Sequence, residues 1–307
     1  GVNCPNASRW EIRDGNHHFT LQNIELKNFY GSGLIIKAND ILVQDSSSHD
    51  QRNGAPSRHY GIYFSSGNNV VIERTRVYDN PGGGIAVFPG PITNSVIRSN
   101  RVYGNNFMNS PNAGIDIFAD ADYPGPGTIT NLLVYDNLIY KNGLASSHAN
   151  PSGIRVANGA SGTKVWNNTI YGNKGYGVLV QSGDNGPPVN TVIQNNIISG
   201  NTINAVLNAG TNTTTSYDAC LGADACGTTG KVTLATATEP FVNAAADDYR
   251  LKQGTNAVRN AGTSTAARSS PVGVTDIGYT EQGLVASVVS TGGFLEATIN
   301  VMTPGVK

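Results

Sequence analysis

The phrase Asn137-Leu-Ile-Tyr-Lys-Asn142 recurs along most of the first 210 residues, and a chain built from such copies has few folds open to it other than a solenoid. Arg76-Val-Tyr-Asp-Asn80, Arg101-Val-Tyr-Gly-Asn105, Thr169-Ile-Tyr-Gly-Asn173 and Ile197-Ile-Ser-Gly-Asn201 are the same phrase. A second phrase follows each time at a variable distance: Gly33-Leu-Ile-Ile, Gly61-Ile-Tyr-Phe, Gly84-Ile-Ala-Val, Gly114-Ile-Asp-Ile, Gly153-Ile-Arg-Val and Gly177-Val-Leu-Val. Its opening glycines, with Ala205 in the last copy, are separated by 28, 23, 30, 39, 24 and 28 residues. Periods in the twenties fit leucine-rich repeats or a parallel β-helix. The regular leucine framework of the former is missing. β-Branched residues at alternate positions stand in its place, as in Val96-Ile-Arg-Ser-Asn-Arg-Val102 and Val192-Ile-Gln-Asn-Asn-Ile-Ile198.

A rung follows from the period of two. In Gly114-Ile-Asp-Ile-Phe118, Ile115 and Ile117 point inward and Asp116 and Phe118 outward. Successive coils stack at about 4.8 Å, so like residues lie over like residues. Asn100, Asn137, Asn168 and Asn196 then form one column and Asn105, Asn142, Asn173 and Asn201 another, able to pass amide hydrogen bonds between coils. The tyrosines at 78, 103, 140 and 171 form a third column.

The chain-wide balance excludes some functions. A net charge of −1 and a pI near 6.6 leave no basic footprint for nucleic acid. No apolar run is long enough to insert into a membrane. Cys220 and Cys226 are spaced for a small disulfide loop, which suits a compartment outside a reducing cytosol; zinc is the competing reading of that spacing. Cys4 is left over. Gly1 opens without a charged-then-apolar leader, so the expectation is a removed signal or a longer parent chain.

These phrases resemble the secreted right-handed parallel β-helix proteins, the fold of pectate lyases and other polysaccharide-acting enzymes. The expected fold is therefore all-β, a right-handed parallel β-helix of about seven coils over residues 1–210. A loop-rich segment, 211–283, would close the helix and pack back on it, because Glu239-Pro-Phe-Val-Asn243 and Asp248-Tyr-Arg-Leu-Lys-Gln look like the closing segments of such proteins. Residues 284–307 would add terminal strands or begin a further segment. The resemblance implies a secreted or cell-surface protein and a polysaccharide partner. It does not extend to catalytic motifs. The Asn-Thr-Asp, Asp-Asp and Gly-His-Gly of polygalacturonases are missing, and Tyr63 and Ser65 stand where alginate epimerases carry the acid and the histidine of Asp-Pro-His.

Insertions in a solenoid gather on one face. Here the long connections flank coil three, whose own link is Asn80-Pro-Gly-Gly-Gly84 and whose outward residue is Ala86, so a glycine-floored groove between raised loops is expected over coils two to five. The candidate catalytic residues are His49, Arg58, His59, Tyr63, Asp116 and Arg155. Candidate substrate contacts are Asp50, Arg52, Tyr60, Phe88, Phe118 and His148. Asp120 and Asp122 offer hard oxygens to calcium, a possible cofactor for bridging an acidic sugar, although two carboxylates are few for a tight site.

Two chemistries use these residue types. A lyase on a uronate polymer neutralises the sugar carboxylate with arginine while a base and an acid such as Tyr or His handle the protons; His59, Tyr63, Arg58 and Arg155 suit it. An inverting glycoside hydrolase needs two carboxylates, and Asp116 with Asp120 or Asp122 suits that. Against both stands a plain ladder ion pair of Asp116 with Arg155 one coil away. A third reading is a non-catalytic structural or adhesive β-helix that stacks end to end through uncapped coil ends.

Overall fold

A computed structural model describes residues 2–3, 10–52, 59–106, 112–119, 127–148, 151–253, 256–259, 261–263 and 278. The chain is a right-handed parallel β-helix, each coil laying one short strand in each of three parallel sheets. In the eight-stranded first sheet, His17–Gln22 is followed by Asn39–Gln44, Val71–Glu73, Val96–Arg98 and onward to Thr214–Ser216. The second sheet runs from Val2–Asn3 and Glu25–Lys27 through Ser47–His49, Arg76–Tyr78, Arg101–Tyr103, Leu138–Tyr140, Thr169–Tyr171 and Ile197–Ser199. The third holds Trp10–Ile12, Leu34–Lys37, Tyr60–Asn68, Gly83–Val87, Ile115–Phe118, Ile154–Ala157, Tyr176–Gln181 and Asn204–Asn208.

Each corner turns on a single left-handed residue. Between the first and second sheets these are Asn23, Asp45, Arg74, Ser99, Asp136, Asn167, Asn195 and Tyr217; after the second sheet they are Asn28, Asp50, Asp79, Gly104, Lys141, Gly172 and Gly200. Glycine, Asn and Asp tolerate this conformation best, which accounts for their recurrence. The residue after each corner points inward, and there the two asparagine columns form. Asn100 Nδ2 donates to Asn137 Oδ1, Asn137 to Asn168 and Asn168 to Asn196, each at 3.0 Å. The second column runs from Asn80 to Asn105, Asn142, Asn173 and Asn201 at 2.9–3.0 Å. Those amides explain the glycine ruler. A Cβ on Gly61 would come within 2.6 Å of Asn80 Nδ2, and one on Gly153 within 2.9 Å of Asn173 Nδ2, so only glycine lets the third sheet approach the ladder.

The interior is one continuous apolar core. Ile62, Ile85, Ile115, Ile154 and Val178 lie in register on the third sheet, facing Val77, Val102, Ile139 and Ile170 of the second and Ile72, Ile97, Val134 and Val165 of the first. At about 25 cal/mol per Å² of buried apolar surface, such a core is the main source of stability.

The coils continue past residue 210, so the boundary expected there falls inside the solenoid. Thr214–Ser216 extends the first sheet, and Ala219–Leu221 and Val232–Leu234 extend the second. The inward positions carry Thr215 and Cys220 rather than Val or Ile, and Thr233, in register with Cys220, is exposed, so the aliphatic signal fades although the register persists. Cys220 and Cys226 form the disulfide, with 6.5 Å between their Cα atoms. Their loop replaces a third-sheet strand. Ala225 carbonyl accepts from Val206 N–H at 2.9 Å and Asn204 Oδ1 accepts from Ala225 N–H at 2.9 Å, covering the edge of Asn204–Asn208. The antiparallel pair Phe241–Asn243 and Asp248–Leu251 then lies against the second sheet, where Tyr249 packs on Tyr140 (4.9 Å) and Phe241 on Tyr171 (5.6 Å). The 284–307 segment and Cys4 lie outside the described residues.

Candidate functional site

The outward rows of the third sheet gather most of the candidate residues. Register places Tyr63 beside Ala86, Ala86 beside Asp116, Asp116 beside Arg155, and Arg155 beside Leu179. Arg155 Nε and Nη2 donate to Asp116 Oδ1 and Oδ2, both at 2.7 Å. The carboxylate is fully buried and the guanidinium side chain is 14% exposed. Burial works against the charge of Arg155, but the adjoining Asp116 carboxylate outweighs it and holds the guanidinium above its ordinary value. Tyr60 is near enough to contribute to that field.

Around the pair stands an aromatic stack. Phe88 lies on Phe118 with centroids 3.9 Å apart, Tyr63 is 6.2 Å from Phe88, and Tyr60 is 5.8 Å from Tyr63. The Arg155 guanidinium sits 5.4 Å over the Phe118 ring, so the arginine is held by charge on one side and by a π face on the other. His59 is buried at the entry to Tyr60–Asn68, where its carbonyl accepts from Gly82 N–H at 2.9 Å. A Cβ on Gly82 would lie 2.8 Å from His59 N, which explains why the short coil-three link is glycine-rich.

The open trough expected over Ala86 is not what the fold builds. Ala86 and Asp116 are fully buried, and Tyr60, Tyr63 and Phe88 nearly so. Outward-facing aromatics on adjacent coils meet one another across the 4.8 Å spacing and form a small cluster of their own with Ile35. Phe118 and Arg155 are its more accessible members.

Four candidates, His49, Asp50, Arg52 and His148, stand elsewhere. His49 belongs to the second-sheet strand Ser47–His49 and heads the tyrosine column, stacked 4.4 Å from Tyr78, with Tyr103 and Tyr140 following at 5.0 and 4.9 Å. Its Nδ1 is 2.7 Å from Asp50 and its Nε2 3.2 Å from Glu25. Asp50 forms the left-handed corner beside it, and Arg52 lies 5.6 Å over Tyr30. The physical reason is strand parity: His49 faces outward on a sheet whose surface points away from the Asp116 row. His148 N–H donates to Ser146 Oγ in the turn before Ile154–Ala157. Arg58, Asp120 and Asp122 lie outside the described residues, and among the described residues no group of three acidic, His or Cys side chains is placed to hold a metal.

The sequence reading missed two neighbours of this site. Leu179 has the parity of Arg155 in the repeated phrase and was open to inference. Asn185 was not: its amide reaches across two coils to donate to the Ala119 carbonyl at 3.2 Å, from a loop with no repeat signature.

Both oxygens of Asp116 are occupied by the guanidinium, so it has no hydrogen to give as the acid of an inverting pair. Arg155 keeps its Nη1 donors beyond the bidentate contact, and these can meet a second carboxylate.

Residues 97–278 match the family model described as "Disaggregatase related". Among solved structures the chain is similar to pectate lyase Pel9A at 15% identity and a TM-score of 0.61, covering 84% of this chain and 69% of that one, a likeness of fold. The A-module of the Azotobacter vinelandii mannuronan C-5 epimerase AlgE4 matches at 16% identity over 70% of this chain and 65% of that one, with a TM-score of 0.35. No curated protein matches the sequence. No described helix is long and apolar enough to cross a membrane.

Proposed function

The chain belongs to the disaggregatase-related family, and from that membership and the third-sheet geometry we propose that it is a secreted protein acting on polysaccharide, cutting an acidic polymer by β-elimination. A polymer-cutting β-helix would disperse an aggregate held together by that polymer, in keeping with the family's name. The observation that carries the reading is Arg155, fixed by Asp116 and Phe118 with its Nη1 edge unspent, in the field of Tyr60, which in turn packs on Tyr63. Arg155 would hold the uronate carboxylate and stabilise the charge that develops as the neighbouring C–H proton leaves. His59 or Tyr63 would take that proton, and a tyrosine hydroxyl would return one to the departing glycosidic oxygen as the C–O bond breaks. Asp116 would act through Arg155 by orienting it.

An inverting hydrolase would need Asp120 or Asp122 together with an acid other than Asp116. End-to-end stacking is disfavoured at the C-terminal end by the disulfide loop over Asn204–Asn208.

Incubation with a panel of uronate polymers tests the proposal, with ultraviolet absorbance of the unsaturated product as readout. His59→Ala and Tyr63→Phe should remove turnover, Tyr63→Phe while shifting Tm little and His59→Ala with the added cost of a buried cavity. Reducing ends without absorbance would indicate hydrolysis, and full activity in both variants would remove this cluster from the chemistry.

A further inference from the structure

The first asparagine ladder ends on an acid. Asn196 donates from both its backbone N–H (2.7 Å) and its Nδ2 (2.9 Å) to Asp218 Oδ1, in the geometry that each rung above uses toward the next asparagine. Every asparagine in the column spends its other amide hydrogen in the same way, on the carbonyl three residues before the preceding rung. Asn100 bonds Ile72, Asn137 bonds Ile97, Asn168 bonds Val134 and Asn196 bonds Val165, all at 2.9–3.0 Å. Continued by one coil, the series assigns Asp218 to the carbonyl of Ile193. A carboxylate has nothing to offer there. Asp218 Oδ2 is buried and makes no hydrogen bond, and the residue is fully enclosed. An ionised oxygen that accepts no hydrogen bond in a sealed interior is costly.

We propose that Asp218 is a protonated last rung: Oδ2 carries the hydrogen that an amide carries elsewhere in the column, donates it to Ile193, and releases it as the medium turns from acidic to neutral, loosening the disulfide-closed end.

The groups facing Asp218 are neutral. They are the Asn196 amide and backbone, the Ser216 backbone, Cys226 sulfur at 3.9 Å from the Asp218 carbonyl, and the Val232 N–H bonded to that carbonyl at 3.0 Å. On the loop packed above, Lys231 Nζ donates to the carbonyls of Gly222 and Asp224, and Asp224 is held above its ordinary value by its own burial. Burial likewise pushes the Asp218 carboxyl up to about 7, with the Asn196 bonds and the Ser216 backbone N–H pulling back only in part. Between the ordinary aspartate value and about 7 the folded state holds a proton that the unfolded chain has lost, so stability falls as pH rises through that window. The consequence is local. Asp218 precedes Cys220 by two residues, and its carbonyl accepts from Val232 N–H beside the disulfide sulfur of Cys226, so its ionisation acts on the loop that covers the last third-sheet strand.

Two measurements on the whole chain test this. Carbon-13 titration of aspartate-labelled protein should show one carboxyl with an inflection near neutral pH, missing in Asp218→Asn. Reduction of the Cys220–Cys226 bond by a water-soluble phosphine should quicken severalfold from pH 5.5 to 8 in the wild type, whereas Asp218→Asn, which supplies the missing donor, should hold the slow rate throughout. A carboxyl titrating only in the ordinary acid range, or identical reduction profiles in the two proteins, overturns the proposal. Should the variant fail to fold, the titration of the wild type decides alone.

Discussion

Removing one rung from the middle of a ladder measures what the amide columns contribute. Asn137 Oδ1 accepts from Asn100 N–H and Nδ2, both at 3.0 Å, and its own Nδ2 donates to Asn168 Oδ1, to the Ile97 carbonyl at 2.9 Å and to the Tyr135 carbonyl at 3.0 Å. In Asn137→Ala all of these go. Asn100 N–H is then a fully buried donor with no acceptor, one of its amide hydrogens loses its partner, and two carbonyls lose a donor. An orphaned buried donor costs about 1–3 kcal/mol, so two of them place the loss at about 3–5 kcal/mol once partial relaxation is allowed. Lys164→Ala, half-buried on the first sheet, is the control and should stay within about 0.5 kcal/mol. Urea unfolding followed by circular dichroism and tryptophan fluorescence reads both, and coincidence of the two probes checks that the array melts as one unit. A loss below about 1 kcal/mol for Asn137→Ala would refute the claim that the ladder is energetic.

Two further outcomes follow from the same structure. Asp116→Ala leaves a largely buried guanidinium unpaired and should cost about 3–5 kcal/mol, while the double variant Asp116→Ala/Arg155→Met should regain most of that stability without regaining activity; a double variant as unstable as the single one would contradict the pairing. Burial pushes the Tyr140 phenol up to about 12 and that of Tyr249 packed at a tilt against it higher still, so below the ordinary value of 10.0 stability should not depend on these groups. Above it the unfolded chain loses its protons first and stability should fall. Melting curves from pH 9 to 12 should show that decline, reduced in Tyr140→Phe, and an unchanged slope in the variant would sink the assignment.

Much of the fold was legible because a solenoid writes its constraints into every coil. The Asn columns, the glycine ruler opening at Gly33 and the inward alternation of Ile115 and Ile117 all recur, since each coil must meet the same neighbours at the same spacing. The Asp116–Arg155 contact was readable for that reason, both residues sharing a position in the repeated phrase. Position in the phrase also held clues that were passed over: His49 aligns with Tyr78 and so belongs to the second sheet, and Asp218 follows Asn196 in the ladder.

What only the folded molecule decided lies where repetition stops. Outward side chains carry no periodic requirement, and their company depends on connections of unequal length, so the closing of Tyr60, Tyr63, Phe88 and Phe118 over Ala86 is written in no single repeat. Asn185 reaching Ala119, and the Cys220–Cys226 loop covering Asn204–Asn208, arise from through-space contacts between segments whose sequences share nothing. Backbone register is local chemistry repeated, and therefore visible in one dimension. The burial of a site is set by everything packed against it, and exists only in three.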